Sequence, residues 1–454
     1  MRFQCLSLIF AAVATLAMAY PSYDPDEDIH DLDHDDCDYL HFDEDDYDYS
    51  EIDMNDVRDF DDLDEDMYKQ LIPEDDWEDD DFEFLTEEER AENLKEAAAF
   101  IKEQNEAFRS SKSTFFAKPT ALSIEGTKAL ANRTGFKIDA AMRTGYNRQE
   151  ITINEPSRRY LDRLMRSGDA PPAEFHTPAS KLTGVRNQGN CGSCVIFASV
   201  ASIETGMLIK KPTLTNSLDL AEQTLLNCAG NYGSASGCDG AGLEPYIKYL
   251  TENRGGSIPP ETKDPYKEVQ SAVCLPESDN LNTGVKVSQL VEVNQPKEAG
   301  LMALVAKHGA VVVAFSTGAD GSPLSKAIMN YGGGIIDVCP KDPFTQGHAV
   351  TVVGYGTHNG VKYWKIKNSW GASWGEGGYF KMKRGVNCNY IEDIGVAPIL
   401  VETGSTPTTP KPTTPKPTTP KPTDDGSGGS GDGSGGSGDG SGGSGDGSGY
   451  DDWY

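Results

Sequence analysis

The chain has 454 residues, with 72 Asp plus Glu against 40 Lys plus Arg, and a formal net charge of −32. That length exceeds one ordinary domain and predicts two or three units. No basic stripe appears, so the composition speaks against nucleic acid as a partner. The negative charge is also local. Residues 20 to 84 hold 31 Asp or Glu against one Arg and one Lys, a balance of −29 that leaves the rest near −3.

Residues 1 to 19 read as a secretory signal, with Arg2 first, an apolar core over residues 6 to 17, and Ala17-Met18-Ala19 as the small-residue cleavage site. The apolar run is too short to span a bilayer, so no transmembrane segment is expected. The tract over residues 20 to 84 cannot bury a core against its own repulsion and is expected to be disordered. Two roles fit it: a solvated leader, or a pH-sensitive element whose crowded carboxylates take up protons readily. Residues 87 to 108 are helical in composition. Residues 85 to 168 are expected to form one unit ahead of the next, and Asn132-Arg133-Thr134 is the single N-glycosylation acceptor, at Asn132.

The next unit covers residues 169 to 402. Its first half predicts helices over residues 194 to 209, 220 to 227 and 243 to 251. Phe197, Val200, Ile203 and Met207 share one face of the first. Its second half predicts strands over residues 310 to 315, 348 to 355, 361 to 367 and 378 to 383, split by Gly turns. A helical lobe followed by a sheet lobe leaves a cleft between them. Residues 403 to 454 are low complexity: Thr-Thr-Pro-Lys-Pro repeats, then Gly/Ser/Asp repeats, giving an extended spacer and a flexible coil.

Nine cysteines are present, seven of them after residue 190. An odd count in an exported chain leaves one free thiol, and every pairing of the other six stays open. Cys-Gly-Ser-Cys at 191 to 194 alone also fits a redox pair or half a zinc site. The zinc reading lacks a second Cys-x-x-Cys, and the redox reading wants a strand just before. Gln188 lies six residues before Cys194. Gly347-His348 precedes a strand-like run, and Asn368-Ser369-Trp370-Gly371 lies beyond it. Cys as nucleophile, His as acid and base, Asn to orient the His, and Gln to bind an oxyanion form a complete peptide-cleaving set.

Together with Leu220-Ala221-Glu222-Gln223 and Gly237-Cys238-Asp239-Gly240, these residues resemble papain-like cysteine proteases over residues 170 to 400. The resemblance implies a two-lobed α+β fold: a helical lobe, an antiparallel β-barrel-like lobe, and a helical propeptide acting as intramolecular inhibitor. Arg90, Leu94, Ile101 and Asn105 fall at the spacings of that propeptide's helix, though Thr86 and Ala97 depart from it. The family also implies disulfides Cys191–Cys238, Cys228–Cys274 and Cys339–Cys388, leaving Cys194 as the thiol. Cys194, His348, Asn368 and Gln188 would be catalytic, with Trp370 and Trp374 shielding the His–Asn bond. Gly240, Ala241, Ala314, Gly347, Trp370 and Asp393 would bind substrate.

Three departures stand out. Val195 replaces the family's Trp after the nucleophile, and Ala241 replaces a second Gly after Gly240. Asp393 would place a carboxylate at the base of the main specificity pocket, as cathepsin B does, with Glu392 the adjacent candidate. Gln346-Gly347-His348 likewise resembles the Gly-Gly-His of cathepsin B. Residues 239 to 273 leave no room for that enzyme's occluding loop, which predicts an endopeptidase. No cofactor or metal is implied. Expected partners are protein or peptide substrates and the chain's own propeptide. The expected state is a monomer, secreted or in a lysosomal or endocytic lumen. His308 and His358 read as surface or packed histidines. The rival is an inactive homologue acting as an extracellular matrix or binding protein, motivated by Val195 and Ala241.

Overall fold

A computed structural model describes residues 85–137, 155–166, 170–340, 344 and 346–403. The expected signal, the acidic tract, the junction at 167–169 and the low-complexity tail from residue 404 lie outside the described residues.

Helix α1 (Glu87–Arg109) begins at a reciprocal cap in which the Glu89 N–H donates to the Thr86 hydroxyl and Glu89 accepts from the Thr86 N–H. It buries Leu94, Ala97 and Ile101. Asn105, fully buried, holds the next element: its amide donates to the Ala117 carbonyl at 3.1 Å and its oxygen accepts from the Ala117 N–H at 2.8 Å. That element is β1 (Phe115–Ala117), followed by α2 (Ala121–Asn132), which Gly126 interrupts at φ 75°. Helix α3 (Glu155–Arg166) is strongly amphipathic.

The helical half that follows holds α4 (Cys194–Lys210), α5 (Glu222–Ala229) and α6 (Pro245–Asn253), after the short strand β2 (Phe175–His176). Helix α4 is apolar around most of its circumference and correspondingly buried on nearly every face. The sheet half holds β3 (Val285–Asn294), α7 (Lys297–His308), β4 (Val311–Ser316), α8 (Pro323–Met329), β5 (Tyr331–Ile336), β6 (Gly347–His358), β7 (Val361–Lys367), β8 (Tyr379–Lys383) and β9 (Ile394–Glu402). The predicted strands at 310, 348, 361 and 378 correspond to β4, β6, β7 and β8 within a few residues. Strands β3, β5 and β9 and helices α7 and α8 were not expected.

The sheet runs β1-β5-β8-β7-β6-β4-β9-β3, with β2 added beside β6. All pairings are antiparallel except β5 with β8. The pro-segment therefore contributes an edge strand. Strand β5 accepts it because Gly332 and Gly333 leave space for the Phe116 ring; a Cβ on either would lie 2.7 Å from ring carbons. Two apolar cores result, one around α4 and α6 and one between the sheet, α7 and α8. Bridges Cys191–Cys238, Cys228–Cys274 and Cys339–Cys388 are formed, and Cys194 is the free thiol. Among the described residues no helix is long and apolar enough to cross a membrane.

Candidate active site

Cys194 is the first residue of α4, and Ser193 before it makes no side-chain cap. The first-turn N–H groups are thus left without that partner, and their partial positive charge faces the sulfur. The thiol is fully buried and accepts from the Ala349 N–H at 3.4 Å, which brings the start of β6 against α4. His348 precedes Ala349 on that strand. Its Nε2 meets Asn368 Oδ1 at 2.7 Å, and Nδ1 makes no hydrogen bond of ordinary geometry. Trp370 stacks on the imidazole with centroids 4.6 Å apart, and Trp374 packs edge-on against Trp370 at 5.0 Å. Two indoles therefore screen the His–Asn bond from water.

Gln188 is fully buried, and both ends of its amide are engaged. Its Nε2 donates to the Cys191 carbonyl at 2.8 Å and to the Arg133 carbonyl at 3.2 Å, while Oε1 accepts from the Ser369 hydroxyl at 2.7 Å. Tyr266 donates to the Gln188 carbonyl at 3.0 Å. Sequence reasoning gave Ser369 and Tyr266 no role. Only adjacency to Asn368 pointed to Ser369, and nothing local pointed to Tyr266.

Residues 133–137 of the pro-segment lie across this group. The Gly135 N–H donates to Cys194 Sγ at 3.3 Å. The Phe136 N–H donates to the Gly347 carbonyl at 2.9 Å, the Ala241 N–H to the Gly135 carbonyl at 2.8 Å, and the Lys137 N–H to the Ala241 carbonyl at 2.8 Å. Phe136 thus forms a parallel bridge with Ala241 and an antiparallel one with Gly347. Gly240, at φ 101°, must be glycine here, because a Cβ would sit 1.9 Å from the Gly135 carbonyl oxygen. The Phe136 ring packs edge-on against Phe344 at 5.8 Å.

Burial under this segment sets the charge state. Desolvation raises the Cys194 thiol above its ordinary value, outweighing backbone N–H donors from Ala349 and Gly135. Desolvation also pulls His348 down to about 4, against the smaller opposing effects of Asn368 and the Arg133 carbonyl. With the pro-segment seated, the pair is a neutral thiol and a neutral imidazole.

The remaining candidates are placed as follows. Ala314 on β4 is buried opposite Ala349. Asp393 is half-buried, and its carboxylate accepts from the Asn387 amide at 2.9 Å. Burial raises it to about 6. Glu392 is committed to structure: it is buried and accepts from Trp364 Nε1 at 3.1 Å and the Gly385 N–H at 2.7 Å. Asn132 is exposed at the end of α2. Val195 is buried within the core around α4. Behind Asn368 lies a small cavity lined in part by Arg186, Glu204, Glu222 and Lys367, a charged cluster that sequence reasoning missed. Burial lifts Glu204 to about 7 there, with Lys367 opposing it. Among the described residues no group of three metal-ligating side chains comes together.

The family model for papain family cysteine proteases matches residues 172–399. Pro-cathepsin H of Bos taurus is 33% identical over 52% of this chain and 71% of its own length. Cathepsin L of Sarcophaga peregrina is 33% identical over 48% of this chain and 62% of its own length, and the oryzain gamma chain of Oryza sativa is 36% identical over 48% and 57%. The chain thus spans about three fifths of the length of most of these relatives. Among solved structures, digestive procathepsin L2 from Tenebrio molitor larval midgut superposes with a TM-score of 0.57 at 28% identity, covering 69% of this chain and 92% of that one. The proform of the ragweed allergen Amb a 11 superposes at 0.56 and 24% identity, covering 74% and 95%, a likeness of fold. Those shares reach past the matched family region into the pro-segment. The chain belongs to the papain family of cysteine proteases.

Proposed function

We propose that this chain is the zymogen of a cysteine endopeptidase that acts on proteins or peptides in a secreted or lysosomal setting. The observation that carries this reading is the free thiol of Cys194 at the start of α4, beside His348 on its Asn368 hydrogen bond, with residues 133–137 laid over it. Removing that segment rehydrates the pair. The helix N-terminus and the imidazole then favour transfer of the thiol proton to His348. The thiolate attacks the scissile carbonyl carbon. Gln188 Nε2 and the Cys194 N–H hold the oxyanion, and His348 returns its proton to the leaving amine. Water, deprotonated by His348, then hydrolyses the thioester. Asn368 keeps the ring in place throughout.

The seated segment is a poor substrate because it presents an N–H, and not a carbonyl carbon, to the sulfur. The Arg133 carbonyl occupies the Gln188 donor instead. Ala241 pairs with this segment through both backbone groups, so its methyl leaves strand pairing intact and supports its assignment to substrate binding. Asp393 serves the specificity pocket. The domain limits at 85–168 and 169–402 and the monomeric state belong to this same reading. The rival of an inactive matrix protein rests on Val195 and Ala241 alone. Incubation at acid pH followed by labelling with the epoxide inhibitor E-64 separates them: a labelled Cys194 is expected, and an inert thiol after pro-segment removal would sink the enzyme reading.

A further inference from the structure

Oxyanion binding in the proposed reaction uses two donors from different parts of the chain, the Gln188 amide and the Cys194 N–H. One phenol touches both stretches. The Tyr266 hydroxyl donates to the Gln188 carbonyl at 3.0 Å. Ser193 Oγ lies 2.7 Å from the same phenol oxygen. Because the phenol hydrogen is committed to the carbonyl, Ser193 is the donor in that second bond. Ser193 Oγ also lies 3.4 Å from the Cys191 carbonyl, which accepts from Gln188 Nε2 at 2.8 Å and from the Ser193 N–H at 2.7 Å. Gln188, Ser193 and Tyr266 therefore close one hydrogen-bonded ring beside the start of α4.

Ser193 stands where a hydroxyl ordinarily caps a helix, and it does not cap α4. Two hydroxyl caps elsewhere in this chain behave as usual. Thr86 ahead of α1 and Ser322 ahead of α8 are extended, at ψ 155° and 159°, and each hydroxyl accepts from the backbone three residues on. Ser193 sits at φ −90° and ψ 14°, in the narrow region between helix and strand, and its hydroxyl goes to Tyr266. The difference matters because ψ of Ser193 sets the direction of the next peptide, which carries the Cys194 N–H. Turning Ser193 to the extended capping form would rotate that N–H by roughly 140°.

We propose that Tyr266 is a positioning residue for the oxyanion site: it draws the Ser193 hydroxyl away from the helix, fixes Ser193 in its non-capping form and so aims the Cys194 N–H, while the same phenol steadies Gln188. This rests on the assignment of Gln188 and the Cys194 N–H to the oxyanion. With no hydroxyl over them, the first-turn N–H groups of α4 stay directed at the sulfur and the developing charge. Two further contacts hold the phenol itself. Its ring packs edge-on against Phe197 of α4 with centroids 4.8 Å apart. The Tyr266 N–H donates to Glu261 at 2.9 Å, and Glu261 pairs with Arg186 at 2.6 Å. Burial raises the phenol well above its ordinary value, so the hydroxyl keeps its hydrogen through the acid and neutral range.

The test compares the full chain, processed at acid pH, with Tyr266→Phe, which keeps the ring and removes only the hydroxyl. Two rates are read: hydrolysis of a Phe-Arg reporter amide, and alkylation of Cys194 by iodoacetamide. Alkylation at a saturated carbon forms no tetrahedral oxyanion, so it reports the thiolate alone. Tyr266→Phe is expected to lower kcat roughly 10- to 30-fold, with KM and the alkylation rate each within about twofold. Ser193→Ala breaks the same link from its other end, with an expected fall in kcat of roughly five- to tenfold and the same split. The double variant is expected to be slower than Tyr266→Phe by no more than about twofold, because both substitutions act on one link. An unchanged kcat, an equal fall in kcat and alkylation, or a double variant slower than that would each overturn the proposal. Should Tyr266→Phe fail to process, Ser193→Ala decides by the same two rates: a fall in kcat alone supports the proposal, and an unchanged kcat or a fall in both overturns it. Failure of the protease reading shows separately, as an unsubstituted chain that cleaves no reporter after processing.

Discussion

Gly135 and Cys194 meet backbone to side chain: the glycine N–H donates to the sulfur at 3.3 Å, and a Cβ on Gly135 would sit 1.7 Å from the Gly192 carbonyl oxygen. Only a residue without a side chain passes over the thiol at this height. Gly135→Val must therefore lift the segment, at a cost of about 1–3 kcal/mol. The unprocessed variant is expected to react with E-64 roughly tenfold faster or more at pH 7. An unchanged labelling rate would show that the crossing does not guard the thiol.

Next to that crossing, Arg133 and Glu125 form an ion pair at 2.9 Å with both side chains 4% exposed. Arg133→Met removes the guanidinium that faces the buried Glu125 carboxylate, with an expected cost of about 3–5 kcal/mol. Urea unfolding of the Cys194→Ala chain should show the loss, and adding Glu125→Leu should restore most of it. A double variant as unstable as the single one would mean that the two side chains act separately.

The amide of Gln188 is held from both sides, and its two neighbours separate binding of the oxyanion from aim. Gln188→Ala is expected to lower kcat/KM about 10²–10³-fold, chiefly through kcat. Ser369→Ala removes only the hydroxyl that orients that amide. Its expected loss is roughly fivefold, in keeping with about 1 kcal/mol for one hydrogen bond. If Ser369→Ala cost as much as Gln188→Ala, Ser369 would have a role beyond positioning.

Burial raises Asp393 to about 6, so this carboxylate is mostly neutral at pH 5 and mostly charged at pH 7. Acceptance of Arg two residues before the cut needs the charged form. The ratio of Arg-Arg to Phe-Arg reporter cleavage by the processed enzyme should therefore rise up to roughly tenfold between those values. Asp393→Ala should flatten that rise, and a slope that survives the substitution would remove Asp393 from the pocket.

Much of the site was legible locally. Cys194 opens an apolar run long enough to be a buried helix, and His348 begins a β-branched strand, because both elements carry their periodicity in neighbouring residues. Strand β5 carried no such signal. Tyr-Gly-Gly-Gly is weak in strand propensity, and it becomes a strand through its pairing with β1 and β8, with Gly332 and Gly333 leaving room for the Phe116 ring. Helix α3 has an amphipathic pattern, but the groove of α7 and β3 that receives it comes from residues over a hundred positions away.

The sequence by itself determined which groups can react: one unpaired sulfur, one imidazole on a strand, an Asn and a Gln. Those are chemical identities, and they survive any arrangement of the chain. Tertiary structure decided their charge and their availability. Residues 133–137 exclude water from sulfur and imidazole together, and desolvation is a collective property of everything packed around a group. No pattern of neighbouring residues states that Gly135 will come to rest on Cys194, or that Tyr160 will close over His308.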